Sequence, residues 1–173
     1  MAKAKTDRLL LILMGVTLAG LVFSIKDSFV QRIVEQGDKA PGFAVTTEKG
    51  KKITPSEFGG KLLVLNFWAT WCPPCVEETP SLSEFAKTYE KEGIVVVAVS
   101  IDKNEAAYRR FLAQVRPGFQ TARDPEADVP ARFGTFKWPE TYVIDQSGRV
   151  RQKYISNRNW MDPAVVNEIR SFL

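Results

Sequence analysis

The chain contains no histidine and only two cysteines in 173 residues, and both cysteines fall in one short stretch. Structural zinc sites are built from four nitrogen, sulfur or oxygen ligands, usually cysteine and histidine, so a within-chain metal site is not expected. Copper(I) held by two thiolates stays open as an alternative. A strong charge imbalance is also missing. The net charge is +4, but from Asp38 onward 19 Lys/Arg face 17 Asp/Glu, a difference of +2, so half of the excess sits near the N-terminus. That balance describes an evenly solvated surface and excludes a nucleic-acid-binding patch as the leading reading. There is no internal repeat and no low-complexity tract. With 45% apolar residues, the chain can bury one sizeable core.

Charge is absent altogether from Leu9 to Ile25, LLLILMGVTLAGLVFSI, a run of 17 residues preceded by Lys3, Lys5 and Arg8. A membrane-spanning helix needs about 20 mainly apolar residues, with a lower limit of roughly 17. A cleaved signal peptide is the competing reading, but Thr17 and Ala19 make a poor small-residue cleavage site and lie inside the run. Residues 1–27 are therefore expected to be a cytoplasmic arm and transmembrane anchor. The basic arm stays in the cytoplasm and the rest of the chain lies on the extracytoplasmic, periplasmic side of the cell membrane. Residues 28–37 read as a stalk, with apolar Phe29, Ile33 and Val34 at helical spacing, and residues 38–173 as the globular domain.

Within that domain, Phe43 to Thr47 and Lys51 to Thr54 flank Glu48-Lys49-Gly50 and predict a hairpin. Leu62 to Trp68, Ile94 to Ile101 and Thr141 to Ile144 are nearly continuous apolar runs, as expected of strands covered on both faces. Val76 to Glu92 predicts a helix stopped by Gly93, beginning in earnest at Pro74 or Cys75 because Pro73 precedes a proline. Asp102 or Asn104 can cap a second helix through Val115. Asp124 to Arg132 predicts a turn or short helix. Asp145 to Gly148 is a turn into an antiparallel strand at Val150 to Ile155, and Asp162-Pro163 starts a terminal helix through Leu173. The order implies an α/β fold: a mixed central sheet with helices on both faces.

The two cysteines stand in FWATWCPPCVEETP, where a buried strand gives way to a helix. A helix N-terminus presents free N–H groups and partial positive charge, which stabilise a thiolate. Cys72 is expected at the cap, exposed and nucleophilic, and Cys75 one turn in, able to attack back and release a mixed disulfide. Pro73 and Pro74 cannot donate an N–H to the Cys72 sulfur, so the Cys75 N–H is the nearest backbone donor. That loop predicts a moderately activated, reducing dithiol rather than a strong oxidant. A purely structural disulfide would close a very small loop and stabilise little. Glu78 lies three residues after Cys75 on the same helical face, which permits a role in proton transfer; an ordinary exposed helix glutamate is the alternative. Trp68 reads as core filling, and Trp71 as a surface residue that shapes substrate contact.

WCPPC following LLVLNFWAT, with GDKAPGF upstream and KWPETYVID downstream, resembles the membrane-anchored TlpA/ResA/CcmG group of thiol-disulfide oxidoreductases in the thioredoxin superfamily. The similarity runs from Gly37 to Leu173. It implies a thioredoxin-like fold in which Pro139 is the cis-proline facing the dithiol, with Trp138 offering backbone to an extended substrate beside Cys72. Trp71, Pro73, Pro74, Trp138 and Pro139 are then the expected substrate-binding residues. Thioredoxins proper carry an aspartate at the place occupied here by Asn66, and the group resembles this chain in using a glutamate at Glu78 instead. The implied catalytic set is Cys72, Cys75 and Glu78, with no cofactor beyond a redox-active Cys72–Cys75 disulfide and no resident metal.

The resemblance also implies partners: a protein disulfide substrate, with apocytochrome c during cytochrome c maturation as the suggested one, and a membrane thiol-transfer protein as reductant. The chain is expected to act as a monomer and to bind no nucleic acid. A general oxidant or isomerase is the enzymatic alternative. A copper(I)-binding assembly module is the non-enzymatic one, although thioredoxin-fold copper carriers add a histidine ligand that this chain lacks.

Overall fold

The computed structural model describes residues 12–21 and 33–173. The chain divides into two units, Met1–Arg32 and Ile33–Leu173. In the first, residues 12–21 are helical. The expected span from Leu9 to Ile25 lies partly outside the described residues, and among these no helix is long and apolar enough to cross a membrane.

In the second unit, β1 (Val45–Thr46) and β2 (Lys52–Ile53) form the expected antiparallel hairpin. Its Thr47–Lys51 turn passes through Gly50 at φ 78°, a left-handed conformation that favours glycine. Five strands make the main sheet: β3 (Leu62–Trp68), β4 (Ile94–Ser100), β5 (Gln120–Arg123), β6 (Glu140–Asp145) and β7 (Val150–Ile155). Their order is β5-β4-β3-β6-β7, with β3, β4 and β5 mutually parallel and β6 and β7 antiparallel to their neighbours. All seven residues of β3 are buried, as its unbroken apolar run requires of a central strand.

Four helices cover the sheet: α1 (Pro73–Tyr89), α2 (Glu105–Val115), α3 (Asp128–Phe133) and α4 (Pro163–Arg170). Strand side chains alternate between faces, so the even positions of β3, Leu62 and Val64, meet Leu82 and Phe85 of α1 and Val166 and Ile169 of α4. The odd positions, Leu63, Leu65 and Phe67, meet the hairpin and the Phe133 end of α3. Trp68 and Ala98 extend the first face to Tyr108 on α2. Layers on both faces were expected; several boundaries were not. The α1 helix starts at Pro73, because Cys72 caps it and a proline at the first helical position is already set for helical φ. It continues through Pro80, an exposed position whose missing N–H removes one helical hydrogen bond. A 3-10 turn, Glu90–Glu92, then ends on Gly93 at φ 97°. Asn104, not Asp102, caps α2, accepting from Ala107 N at 3.0 Å. The terminal helix stops at Arg170 rather than Leu173.

Candidate active site

Strand β3 ends at Trp68, and four residues later Cys72 turns the chain into α1. Cys72 sits at the cap with extended backbone (φ −99°, ψ 104°) and is joined to Cys75 by a disulfide. Cys75 N donates to Cys72 Sγ at 3.3 Å, the backbone donor that the two prolines leave available. The expectation of an exposed Cys72 is corrected: it is only 5% exposed, and Cys75 only 1%. Both sulfur residues belong to an apolar cluster with Trp68, Ala69, Ala98 and Tyr108, against which Trp138 packs as a partial cover. Cap position makes a sulfur electrostatically favoured as a thiolate, but its exposure is decided by the neighbouring loops.

The loop that carries this cover contains the Trp138–Pro139 peptide bond, which is cis. Pro139 is buried and Trp138 half-buried. Trp71 is 61% exposed beside Cys72. Pro73 is exposed and Pro74 half-buried. The five expected substrate-contact residues are therefore distributed over the cysteine loop and the cis-proline loop, both at the end of the sheet where β3 stops.

Glu78 is the residue whose surroundings matter most. It is 3% exposed, so the ordinary surface-glutamate alternative does not describe it. One oxygen, Oε1, accepts from Asn66 Nδ2 at 2.9 Å, and the same amide donates to Thr141 Oγ1 at 2.9 Å. Asn66 and Thr141 are register partners on β3 and β6, so the sheet itself presents this amide to α1. The other oxygen, Oε2, accepts from Trp160 Nε1 at 3.0 Å and from Arg158 N at 3.4 Å. Burial pushes the Glu78 carboxyl up from 4.5 to about 7, and the hydrogen bonds from Trp160, Asn66 and Arg158 together with the Arg158 charge hold it from going further. A carboxyl poised near neutrality can exchange a proton at physiological pH.

Two arrangements escape sequence reasoning. Asp102 is buried beside the cysteine loop and accepts from Thr70 N at 2.9 Å, Thr70 Oγ1 at 2.6 Å and Ser100 Oγ at 2.5 Å. It braces the loop two residues ahead of Cys72, tying it to the end of β4. Glu140, directly after Pro139, is buried on the opposite face of β6 from Thr141. Its Oε1 meets Tyr142 Oη at 2.7 Å and Lys153 Nζ at 3.1 Å. An acid directly after Pro139 and a lysine within the predicted Val150–Ile155 strand were the available signals for this pair.

A thioredoxin-like sheet with a Cys-x-x-Cys disulfide at the first turn of a helix, faced by a cis-proline loop, defines a thiol-disulfide oxidoreductase. The chain belongs to the AhpC/TSA family, whose model matches residues 36–153. It is 36% identical over 120 residues to the thiol-disulfide oxidoreductase ResA of Bacillus thuringiensis subsp. konkukian, covering 69% of each chain. To ResA of Bacillus anthracis it is 32% identical over 158 residues, covering 89% of this chain and 91% of that one. Among solved structures it is similar to one described as a thiol:disulfide interchange protein DsbE candidate from Chlorobium tepidum. That match has a TM-score of 0.73 and 32% identity, and covers 82% of this chain and 99% of that chain. These relatives agree with the resemblance carried by WCPPC and KWPETYVID.

Proposed function

We propose that this protein is an extracytoplasmic disulfide reductase, tethered by its N-terminal apolar segment, that works by dithiol exchange through Cys72 and Cys75. The reduced Cys72 thiolate attacks one sulfur of a substrate disulfide, forming a mixed disulfide and expelling the other substrate sulfur as a thiolate. Glu78 takes the proton from the Cys75 thiol. The Cys75 thiolate then attacks Cys72 Sγ, forming the Cys72–Cys75 disulfide and releasing the second substrate sulfur as a thiolate. Two electrons have passed to the substrate, and a membrane thiol-transfer protein returns them. The observation that carries this reading is the Cys72–Cys75 disulfide at the first turn of α1, with the buried Glu78 carboxyl one helical turn beyond Cys75. The likeness to the TlpA/ResA/CcmG group supports the haem-binding cysteines of apocytochrome c as the substrate.

The reduction potential of the Cys72/Cys75 couple, measured against glutathione or dithiothreitol redox buffers, tests the direction of transfer. A value near that of thioredoxin, roughly −270 mV, is expected; one near −120 mV, where strong oxidants lie, overturns the reductase assignment.

A further inference from the structure

Between β7 and α4 the chain folds back onto α1 through a short loop that enters at Ser156 with a positive φ of 73°. Asn157 Nδ2 donates to Glu77 Oε2 at 2.9 Å, and Trp160 N donates to Ser81 Oγ at 3.2 Å. Between these two anchors Arg158 N and Trp160 Nε1 both point at Glu78 Oε2. Trp160 is wholly buried, its ring packed against Phe85 at 6.1 Å and edge-on to Tyr154 at 5.6 Å. An indole N–H in so tight a cluster has no freedom to turn elsewhere. The contact joins residues 82 apart in the chain.

We propose that the Asn157–Trp160 loop is the positioning element for Glu78, and that Trp160 is a positioning residue whose indole N–H fixes Oε2 and favours the ionised carboxyl. This rests on the reading of Glu78 as the proton acceptor for Cys75. The physical basis is that donors aimed at a carboxylate stabilise its charged form against burial, and Trp160 supplies the shorter of the two contacts on Oε2. The groups facing Glu78 are few. Arg158 brings its charge from the loop, Cys75 lies one turn back on α1, and Asn66, itself bonded to Thr141 of β6, faces it uncharged from β3. Glu77, its neighbour on α1, turns outward to Asn157.

The test is the titration of the Glu78 carboxyl in the oxidised full chain, followed by its side-chain 13C shift and assigned by its loss in Glu78→Gln. Trp160→Phe keeps an aromatic ring and removes the donor. Tyr154→Phe disturbs the same packed cluster but removes no donor to Glu78. The midpoint is expected to rise by about one pH unit or more in Trp160→Phe, the worth of a hydrogen bond to a charged group, and to stay put in Tyr154→Phe. The pH midpoint of thiol exchange should rise with it. If Trp160→Phe folds poorly, Trp160→benzothienylalanine replaces the indole N–H by sulfur at the same ring size and repeats the measurement. An unmoved Glu78 midpoint, or an equal rise in Tyr154→Phe, overturns the role of Trp160. A pH profile of exchange that is identical in Glu78→Gln and the native chain instead removes the acceptor role on which it rests.

Discussion

Replacing Glu78 by glutamine is expected to make the fold progressively more stable relative to the native protein as pH rises, while impairing exchange. In the unfolded chain this carboxyl ionises at its ordinary 4.5, whereas burial holds it near 7 in the native state. Folded protein therefore binds the proton more tightly. Below the unfolded value both states are protonated and the group costs nothing. As pH rises through the interval, the unfolded chain ionises first and native stability falls, at about 1.4 kcal/mol per pH unit, until the native carboxyl also ionises. Integrated between pH 5 and pH 8, the loss is about 2–3 kcal/mol, an appreciable part of the roughly 5–15 kcal/mol that holds a typical domain together.

Glutamine has no such dependence. It keeps the shape of the side chain, and its amide oxygen can still accept from either Asn66 or Trp160, but its NH2 then meets the remaining donor. That mismatch costs about 1–3 kcal/mol at every pH. The absolute ranking at one pH thus mixes two effects, and the clean quantity is the change with pH. Urea unfolding of the oxidised chain at pH 5 and pH 8 measures it: the difference between the native protein and Glu78→Gln should move by about 2–3 kcal/mol in favour of the variant. Disulfide-bonded cysteines do not titrate in this window, so they cannot supply the slope. A difference that is the same at both pH values would refute the claim that Glu78 is buried with a raised proton affinity.

Three further outcomes are expected. Asp102→Asn replaces an acceptor-only carboxylate that receives Thr70 N, Thr70 Oγ1 and Ser100 Oγ by an amide with one accepting oxygen; urea unfolding should show a loss of about 1–3 kcal/mol, and no loss would mean the brace is not taut. Pro74→His adds a cationic group beside the Cys72 sulfur and should make the couple more oxidising, as read by equilibration with glutathione; an unchanged potential counts against the account of the proline loop. Trp138→Ala uncovers the cysteine cluster and should shift the ratio of turnover between disulfide peptides with bulky and small flanking residues, so an unaltered substrate range removes Trp138 from the binding surface.

The parts of this fold that could be read in the sequence are those whose pattern is local. Leu62–Trp68 announces itself because a strand covered on both faces needs seven buried side chains in succession. By contrast, β5 is four residues, Gln120–Arg123, at the sheet edge with half-buried polar ends, and nothing in its pattern separates it from a loop. The dithiol's place at a strand-to-helix junction was legible, since position and spacing lie within a few residues, but the burial of Cys72 and the helix start at Pro73 were not. Glu78 was legible only as a position on a helical face. Its burial depends on Trp160 and Arg158, which arrive from beyond the end of β7, and no local pattern foretells them. The sequence admits either Asp102 or Asn104 as the cap; Asn104 takes the cap, and the tertiary demand of the Thr70 loop takes Asp102.

The two prolines and the buried glutamate can be read as parts of one solution. A nucleophilic cysteine is activated by donors to its sulfur, and every donor that favours the thiolate also favours the reduced form, making the couple more oxidising. With prolines at 73 and 74, Cys72 Sγ keeps the Cys75 N–H among the nearby backbone groups. Fewer donors leave the reduced form less stabilised, which suits a reductase, but they provide nothing for the second step, in which the Cys75 thiol must lose a proton inside an apolar cluster. An apolar surrounding disfavours a bare thiolate. A carboxyl tuned to neutrality on the next turn of the same helix answers that need without placing a permanent positive charge near either sulfur. In the proposed reductase the loop can thus remain reducing, because the proton chemistry is moved away from it, onto Glu78 and the residues that hold it.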